Sequence, residues 1–290
     1  DGKSAVGAYE FEFIPGKITE TRVKAEIILR KEVDRLGIAP LTSMYWYGEN
    51  SEASHPSAYP EIHDSDGLLV LNANDEWIWR PLENPKKPTL NSFSSENVRG
   101  FGLLQRDREF SSYEDSEMKY HLRPGAWVEP EGDWGKGSVQ LYRSPTKQDS
   151  DDNIGAFWVP DEMPKVGEAL NLSYKIFWLN QNPNSKTIAD VVATRVKPVP
   201  KETDSYIYQI DFKGGKLKGV ENPSDLEAVV TATESAGVSE ITVQKIPETE
   251  KWRCSFKLTH KANSKPVELK AFLKKSDSVI TESWTYTLEL

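Results

Sequence analysis

Cysteine is almost missing from this 290-residue chain, and its single copy, Cys254, can form neither an internal disulfide nor a Cys-based zinc cluster. Histidine is also sparse, with four residues, and no pair of them stands at ligand spacing. No stretch comes near the ~18 uncharged apolar residues that a membrane-crossing helix requires, and Asp1-Gly2-Lys3-Ser4 carries no apolar signal core. A basic excess is lacking too. Lys and Arg number 36 against 45 Asp and Glu, a net charge of −9, and no basic stripe interrupts that balance, so nucleic acid is not an expected partner. Mean hydropathy is −0.59 with 37% hydrophobic residues, too apolar for a disordered chain and too polar for a membrane bundle. Low cysteine usage fits cytoplasm and bacterial periplasm alike.

What is present is unevenly spread. Residues 191–290 hold 15 Lys and Arg against 14 Asp and Glu, leaving 21 and 31 to residues 1–190. Seven of the nine Trp fall between Trp46 and Trp178. An acidic, Trp-rich first module followed by a charge-balanced second one is the expected organisation, with the ligand in the first.

Strand patterns dominate. Arg22–Leu29 and Ser138–Arg143 are rich in β-branched and aromatic residues, and Asn171–Trp178 alternates with period two. Asp66-Gly67, Asn84-Pro85, Arg123-Pro124-Gly125, Glu131-Gly132-Asp133 and Asn182-Pro183-Asn184 supply turns between them. Helix candidates are limited to one or two turns, around 161–168 and 223–229. In the last hundred residues, strand-like runs near 194–199, 205–212, 226–233, 239–246, 251–260, 266–275 and 282–290 predict a seven-stranded immunoglobulin-like sandwich. Trp252, Cys254, Phe256 and Leu258 share one face, and Trp284, Tyr286, Leu288 and Leu290 another. Both read as core. The Pro-containing stretch 182–200 is the expected linker.

The first module lacks the common enzyme signatures: no Walker-type loop, no H-E-x-x-H, no G-x-S-x-G. Gly132-Asp133-Trp134-Gly135-Lys136-Gly137 is glycine-rich, but it leads into a strand, so no helix end is available for phosphate and a tight turn is expected. Asp149-Ser150-Asp151-Asp152-Asn153 opens like a calcium loop. Ile154 then stands where glycine is required and Pro160 where a bidentate Glu belongs. The apolar strand Ile154–Val159 follows at once, so Asp152 and Asn153 sit at a strand entrance where side chains can be fixed. In His63-Asp64-Ser65-Asp66-Gly67, Asp66 reads as turn chemistry, whereas Asp64 has no such structural reason. A third constellation, Tyr120-His121-Leu122-Arg123-Pro124-Gly125-Ala126-Trp127, puts a cation between aromatics beside a turn. Arg106-Asp107-Arg108 reads as a surface ion-pair run.

Carboxylates on strand-end loops, lined by Trp, Tyr and Arg, suit a carbohydrate: sugar C–H faces pack on aromatic planes and hydroxyls bond to Asp and Arg. Cleaving a glycosidic bond calls for one carboxylic acid on the leaving oxygen and one carboxylate on water. The residues thus point to glycan binding or glycan cleavage without naming the glycan.

Longer motifs add a resemblance. Leu36-Gly37-Ile38-Ala39-Pro40-Leu41-Thr42-Ser43-Met44, Glu61-Ile62-His63-Asp64-Ser65-Asp66-Gly67-Leu68, Glu76-Trp77-Ile78-Trp79-Arg80-Pro81-Leu82, Phe101-Gly102-Leu103-Leu104-Gln105-Arg106, Gly135-Lys136-Gly137-Ser138-Val139 and Asp152-Asn153-Ile154 before Phe157-Trp158 resemble the periplasmic glucan biosynthesis protein G/D family, nearer its G branch. The resemblance implies a mainly β protein. A large β-sandwich, of which 1–182 form the C-terminal half, is followed by a linker at 183–195 and an immunoglobulin-like domain at 196–290. It further implies a Gram-negative periplasmic protein acting on the linear β-1,2-glucan backbone of osmoregulated periplasmic glucans, as an inverting endo-glucanase. By position, the general acid falls on Asp152 and the general base on Asp64, with Tyr120, Arg123 and Asp149 lining the cleft; Trp79 and Trp127 are added as aromatic substrate contacts. No cofactor and no metal are implied.

The roles have physical demands. Asp152 needs burial or a like charge to stay protonated, and Asp149 and Asp151 are close enough in sequence to supply one. Asp64 must be ionised and reach water. The family pattern at the acid is Glu-Thr-x-Asp-Asn, so the shorter Asp149 weakens its match as a substrate contact. The upstream half of the same sandwich is the expected partner of this chain. The competing reading is a non-catalytic glucan-binding scaffold that hands polymer to membrane glucan synthases, with the seven-stranded tail as docking module. A sugar isomerase ranks last, because only His63 lies near a suspected site.

Overall fold

The computed structural model describes residues 2–51, 58–183, 187–261 and 265–289. Twenty-one strands account for most of them. They are β1 (Ala5–Ile14), β2 (Thr19–Leu29), β3 (Ile38–Ser43), β4 (Tyr45–Tyr47), β5 (Ile62–His63), β6 (Gly67–Leu71) and β7 (Trp77–Pro81). Next come β8 (Thr89–Ser95), β9 (Gly100–Leu104), β10 (Gly125–Glu131), β11 (Gly137–Arg143), β12 (Ile154–Pro160), β13 (Ala169–Leu179) and β14 (Asp190–Pro198). The last seven are β15 (Ser205–Lys213), β16 (Glu227–Ala232), β17 (Ala236–Lys245), β18 (Lys251–His260), β19 (Val267–Lys275), β20 (Ser278–Val279) and β21 (Ser283–Leu288). The protein is mainly β, with several sheets in sandwich-like layers, as the patterning predicted.

The chain forms two compact units: 1–46, 62–76 and 84–181 make the first, and 47–61, 77–83 and 182–290 the second. In the first unit, β1-β2-β13-β10-β9-β6 run side by side and β3-β12-β11-β8 form a separate four-stranded sheet. Alternation sets the buried face: Val23, Ala25, Ile27 and Leu29 on β2 point inward while their neighbours along the strand do not. Trp127 is buried because β10 places it opposite Gly102. A Cβ on Gly102 would stand 2.3 Å from the Ala126 carbonyl oxygen, and one on Gly100 2.2 Å from the Trp127 ring, so both positions must be glycine for this register. The glycine-rich stretch is a turn, with Gly132 and Gly135 at φ of +85° and +74°, the left-handed conformation glycine adopts without strain.

In the second unit, β14-β15-β18-β17 form one sheet, and β16, β19 and β21 pair in another, with β7 added on β21 and β20 on β19. Numbered along the tail, this is the ABED/CFG arrangement of an immunoglobulin sandwich. Its core is aromatic: the rings of Tyr208 and Phe256 stack at 5.2 Å and those of Trp284 and Tyr286 at 5.4 Å. Trp252, Cys254, Phe256 and Leu258 are all buried, as alternation predicted. Trp284 and Tyr286 are buried too, while Leu290 lies outside the described residues.

Three expectations change. Residues 190–195, expected as linker, are the first half of β14, where Val191 and Ala193 are buried. Residues 161–168 form no helix, since Pro164 disfavours helical geometry at Met163 and Gly167 sits at φ +83°; 223–229 yields only the single turn Pro223–Asp225 before β16. The α-helical turn of the described residues is Phe110–Tyr113, which the patterning did not predict. Asn184 of the expected turn lies outside the described residues.

Candidate active site

The first unit brings together side chains from three separate segments. Asp64 directly follows β5, and its backbone N–H donates to the Met44 carbonyl at 2.9 Å. Its side chain is 23% exposed and pairs with the Arg123 guanidinium. Arg123 ends the single helical turn Tyr120–Leu122, and its guanidinium carbon lies 4.7 Å from the centre of the Tyr120 ring. The buried Tyr120 donates its hydroxyl hydrogen to Asp149 at 3.1 Å. Asp152 stands at the start of β12 and is exposed, close enough to Asp64 for the two carboxylates to repel. Asp64, Arg123, Tyr120 and Asp149 thus form one continuous chain of contacts, with Asp152 beside it.

The loop that holds Asp152 is fixed by one distant anchor and by bonds within itself. Asn153 is buried, accepts from the Tyr45 N–H at 2.9 Å, and donates to the carbonyls of Tyr45 and Ser144 at 3.0 Å each. Asp151 turns into its own loop, accepting from Gln148 and Thr146 at 2.7 and 2.9 Å. Those bonds hold its carboxyl below the usual carboxylate range. Asp149 is thus bonded by Tyr120, and Asp151 by residues of its own loop.

The electrostatics of Asp64 are a contest. Burial, the largest effect, pushes its carboxyl above the ordinary range; the charges of Arg123 and His63 pull it back, and Asp152 adds to the rise. Tyr120 is held far above the ordinary phenol range by burial and by Asp149. His63 is fully buried, stacked on Tyr45 at 5.1 Å with its Nε2 3.6 Å from Asp66. Asp66 itself accepts from the backbone N–H groups of Arg106 and Asp107, a long-range contact in place of the turn chemistry expected of it.

Other residues fall elsewhere. Trp127 is 1% exposed with its indole N–H on Glu129 at 2.9 Å. Trp79 belongs to the second unit, 3% exposed on β7 opposite Trp284. Both rings are covered, so neither serves as a sugar platform here. Arg108 is not a solvated ion-pair partner. It is half-buried and donates to the carbonyls of His121, at 3.3 Å, and Arg123, with burial lowering its pKa. It braces the turn that carries Arg123, a role a charge run does not reveal.

Comparison with known proteins names the family. The model for the periplasmic glucan biosynthesis protein MdoG matches residues 1–288, and the chain belongs to that family. It is 41% identical over 99% of its length to glucans biosynthesis protein G of Ralstonia nicotianae. It is 39% identical to the protein of that name from Sodalis glossinidius and 40% to that of Pseudomonas aeruginosa strain LESB58, again over 99% of this chain. The chain spans 59%, 57% and 57% of those relatives.

Proposed function

We propose that this chain is part of a Gram-negative periplasmic protein that cleaves the linear β-1,2-glucan backbone with inversion. Asp152 acts as general acid and Asp64 as general base. The observation that supports it is the pairing of Asp64 with Arg123 beside Asp152. A carboxylate whose pKa is raised by burial is a stronger base, and the neighbouring guanidinium favours its ionised form. In the proposed step, Asp64 takes a proton from water as the water oxygen attacks the anomeric carbon. Asp152 gives its proton to the departing glycosidic oxygen on the opposite face, and the two-carboxylate arrangement inverts the centre. Tyr120, Arg123 and Asp149 line the cleft, and substrate itself supplies the burial that the exposed Asp152 requires.

The reading extends to a partner within the same protein. Tyr9, Phe11 and Phe13 of β1 are 51%, 53% and 66% exposed. Their register puts them on the face of the buried Val23 and Ala25 of β2. We infer that further sequence of the kind the longer relatives carry completes the sandwich against this face.

One observation favours a binding-only alternative: Asp152 is exposed, without the burial that would hold a proton on a general acid. In that case the protein presents glucan to membrane synthases. The deciding experiment incubates the full-length protein with linear β-1,2-glucan beside Asp152→Asn and Asp64→Asn. Short oligosaccharides of inverted anomeric configuration, lowered ~10²–10⁴-fold in each variant, support the hydrolase. Undiminished binding without cleavage in all three supports the scaffold.

A further inference from the structure

Gln105 belongs to a motif to which the proposed chemistry assigns no role. It is the first residue beyond β9 and is 3% exposed. Its Nε2 donates to the His63 carbonyl at 2.9 Å and to the Tyr120 carbonyl at 3.3 Å. Its Oε1 lies 3.0 Å from His63 Nδ1. With both amide hydrogens given to carbonyls, Oε1 is the acceptor and His63 Nδ1 carries the hydrogen. His63 is the residue before Asp64, and Tyr120 opens the turn that ends at Arg123. One buried amide therefore joins the two segments that carry the Asp64–Arg123 pair.

The amide is itself held in place. Asp66 donates its N–H to the Leu104 carbonyl at 2.8 Å and accepts from the N–H groups of Arg106 and Asp107, gripping the backbone on both sides of Gln105. A buried amide bonded at every hydrogen is rigid, because each broken bond leaves an unsatisfied group away from water.

We infer that Gln105 is a positioning residue that sets the placement of Asp64 relative to Tyr120 and Arg123. This rests on the glucan-cleaving reading, in which a misplacement of about 1 Å lowers turnover ~10²-fold. The test compares full-length wild type with Gln105→Leu, Gln105→Glu and Val139→Ala. Val139→Ala opens a cavity in the buried β11 core as a control for lost stability. Melting temperature, affinity for linear β-1,2-glucan, kcat and KM are measured for each. Gln105→Leu is expected to lower kcat ~10²-fold and to weaken glucan affinity. Gln105→Glu is expected not to rescue it, since a carboxylate would face two carbonyl oxygens with acceptors only. Val139→Ala is expected to lose melting temperature while keeping kcat and KM. Gln105→Leu matching wild type in kcat and affinity, rescue by Gln105→Glu, or equal losses in Val139→Ala would overturn the inference. If wild type binds glucan and cleaves none, the cleavage reading falls, and the affinity of Gln105→Leu still decides the role of Gln105.

Discussion

Two aspartates, each paired with arginine, distinguish the two units. In the second unit Asp211 is 2% exposed and takes two bonds from Arg253, at 2.6 and 2.8 Å, and one from Arg195 at 3.0 Å. In the first unit Asp64 is one-quarter exposed, meets Arg123 through one guanidinium nitrogen, and has a second carboxylate nearby. The first arrangement buries its carboxylate and bonds both of its oxygens, and acts on the fold. The second leaves charge and lone pairs open to water, and that openness is what chemistry on a bound molecule requires. An Asp–Arg pair by itself is therefore no sign of a site; incomplete enclosure beside a second carboxylate is.

Experiments on the two pairs separate their roles. The largest effect concerns Cys254, next to Arg253 on β18. Burial pushes its thiol up to about 12, so at pH 8 its thiolate is ~10³-fold scarcer than that of an ordinary cysteine. Alkylation is expected only on unfolding, and prompt labelling of the native protein would show that the second unit is not closed. Next, Asp211→Ala strands two guanidinium groups and is expected to cost about 3 kcal/mol in denaturant unfolding, whereas Arg123→Ala, at the half-open pair, is expected to cost under about 1 kcal/mol. Equal costs would erase the distinction between the pairs. In kinetics, Arg123→Ala removes a cation that holds the Asp64 carboxyl down, so the acid limb of kcat/KM is expected to move to higher pH. The smallest effect is on stability. Burial holds the Asp64 carboxyl above its ordinary range, so the folded state binds that proton more tightly than the unfolded chain does. Stability is then lost as pH rises from the ordinary value through the raised one. Asp64→Asn has no proton to lose, so its Tm is expected to gain on wild type across that window. A constant difference between pH 3 and pH 7 would contradict the burial of Asp64.

Much of this was legible in the residues. Alternation from Trp252 to Leu258 marked the inner face of β18, because a half-covered strand writes its burial with period two. Asp64 stood out for lacking a turn role, whereas Asp66, read as turn chemistry, holds backbone N–H groups some forty residues away. The failures share a cause. Trp79 and Trp127 looked like sugar platforms because aromatic content carries no information on which face is covered. Arg108 looked like a surface charge because its carbonyl partners lie thirteen and fifteen residues away. The segment 77–83 looked continuous with the first module, yet it pairs with β21 some two hundred residues later.

Local periodicity and contiguous motifs carried the mainly β class, the strand-rich tail and the family. Tertiary structure decided that Asp149 turns to Tyr120, that Arg123 reaches Asp64 across fifty-nine residues, and that Gln105 ties both segments together. Those choices depend on strand register and on hydrogen bonds between distant segments, and no local pattern of residues encodes which distant partner a polar side chain will meet.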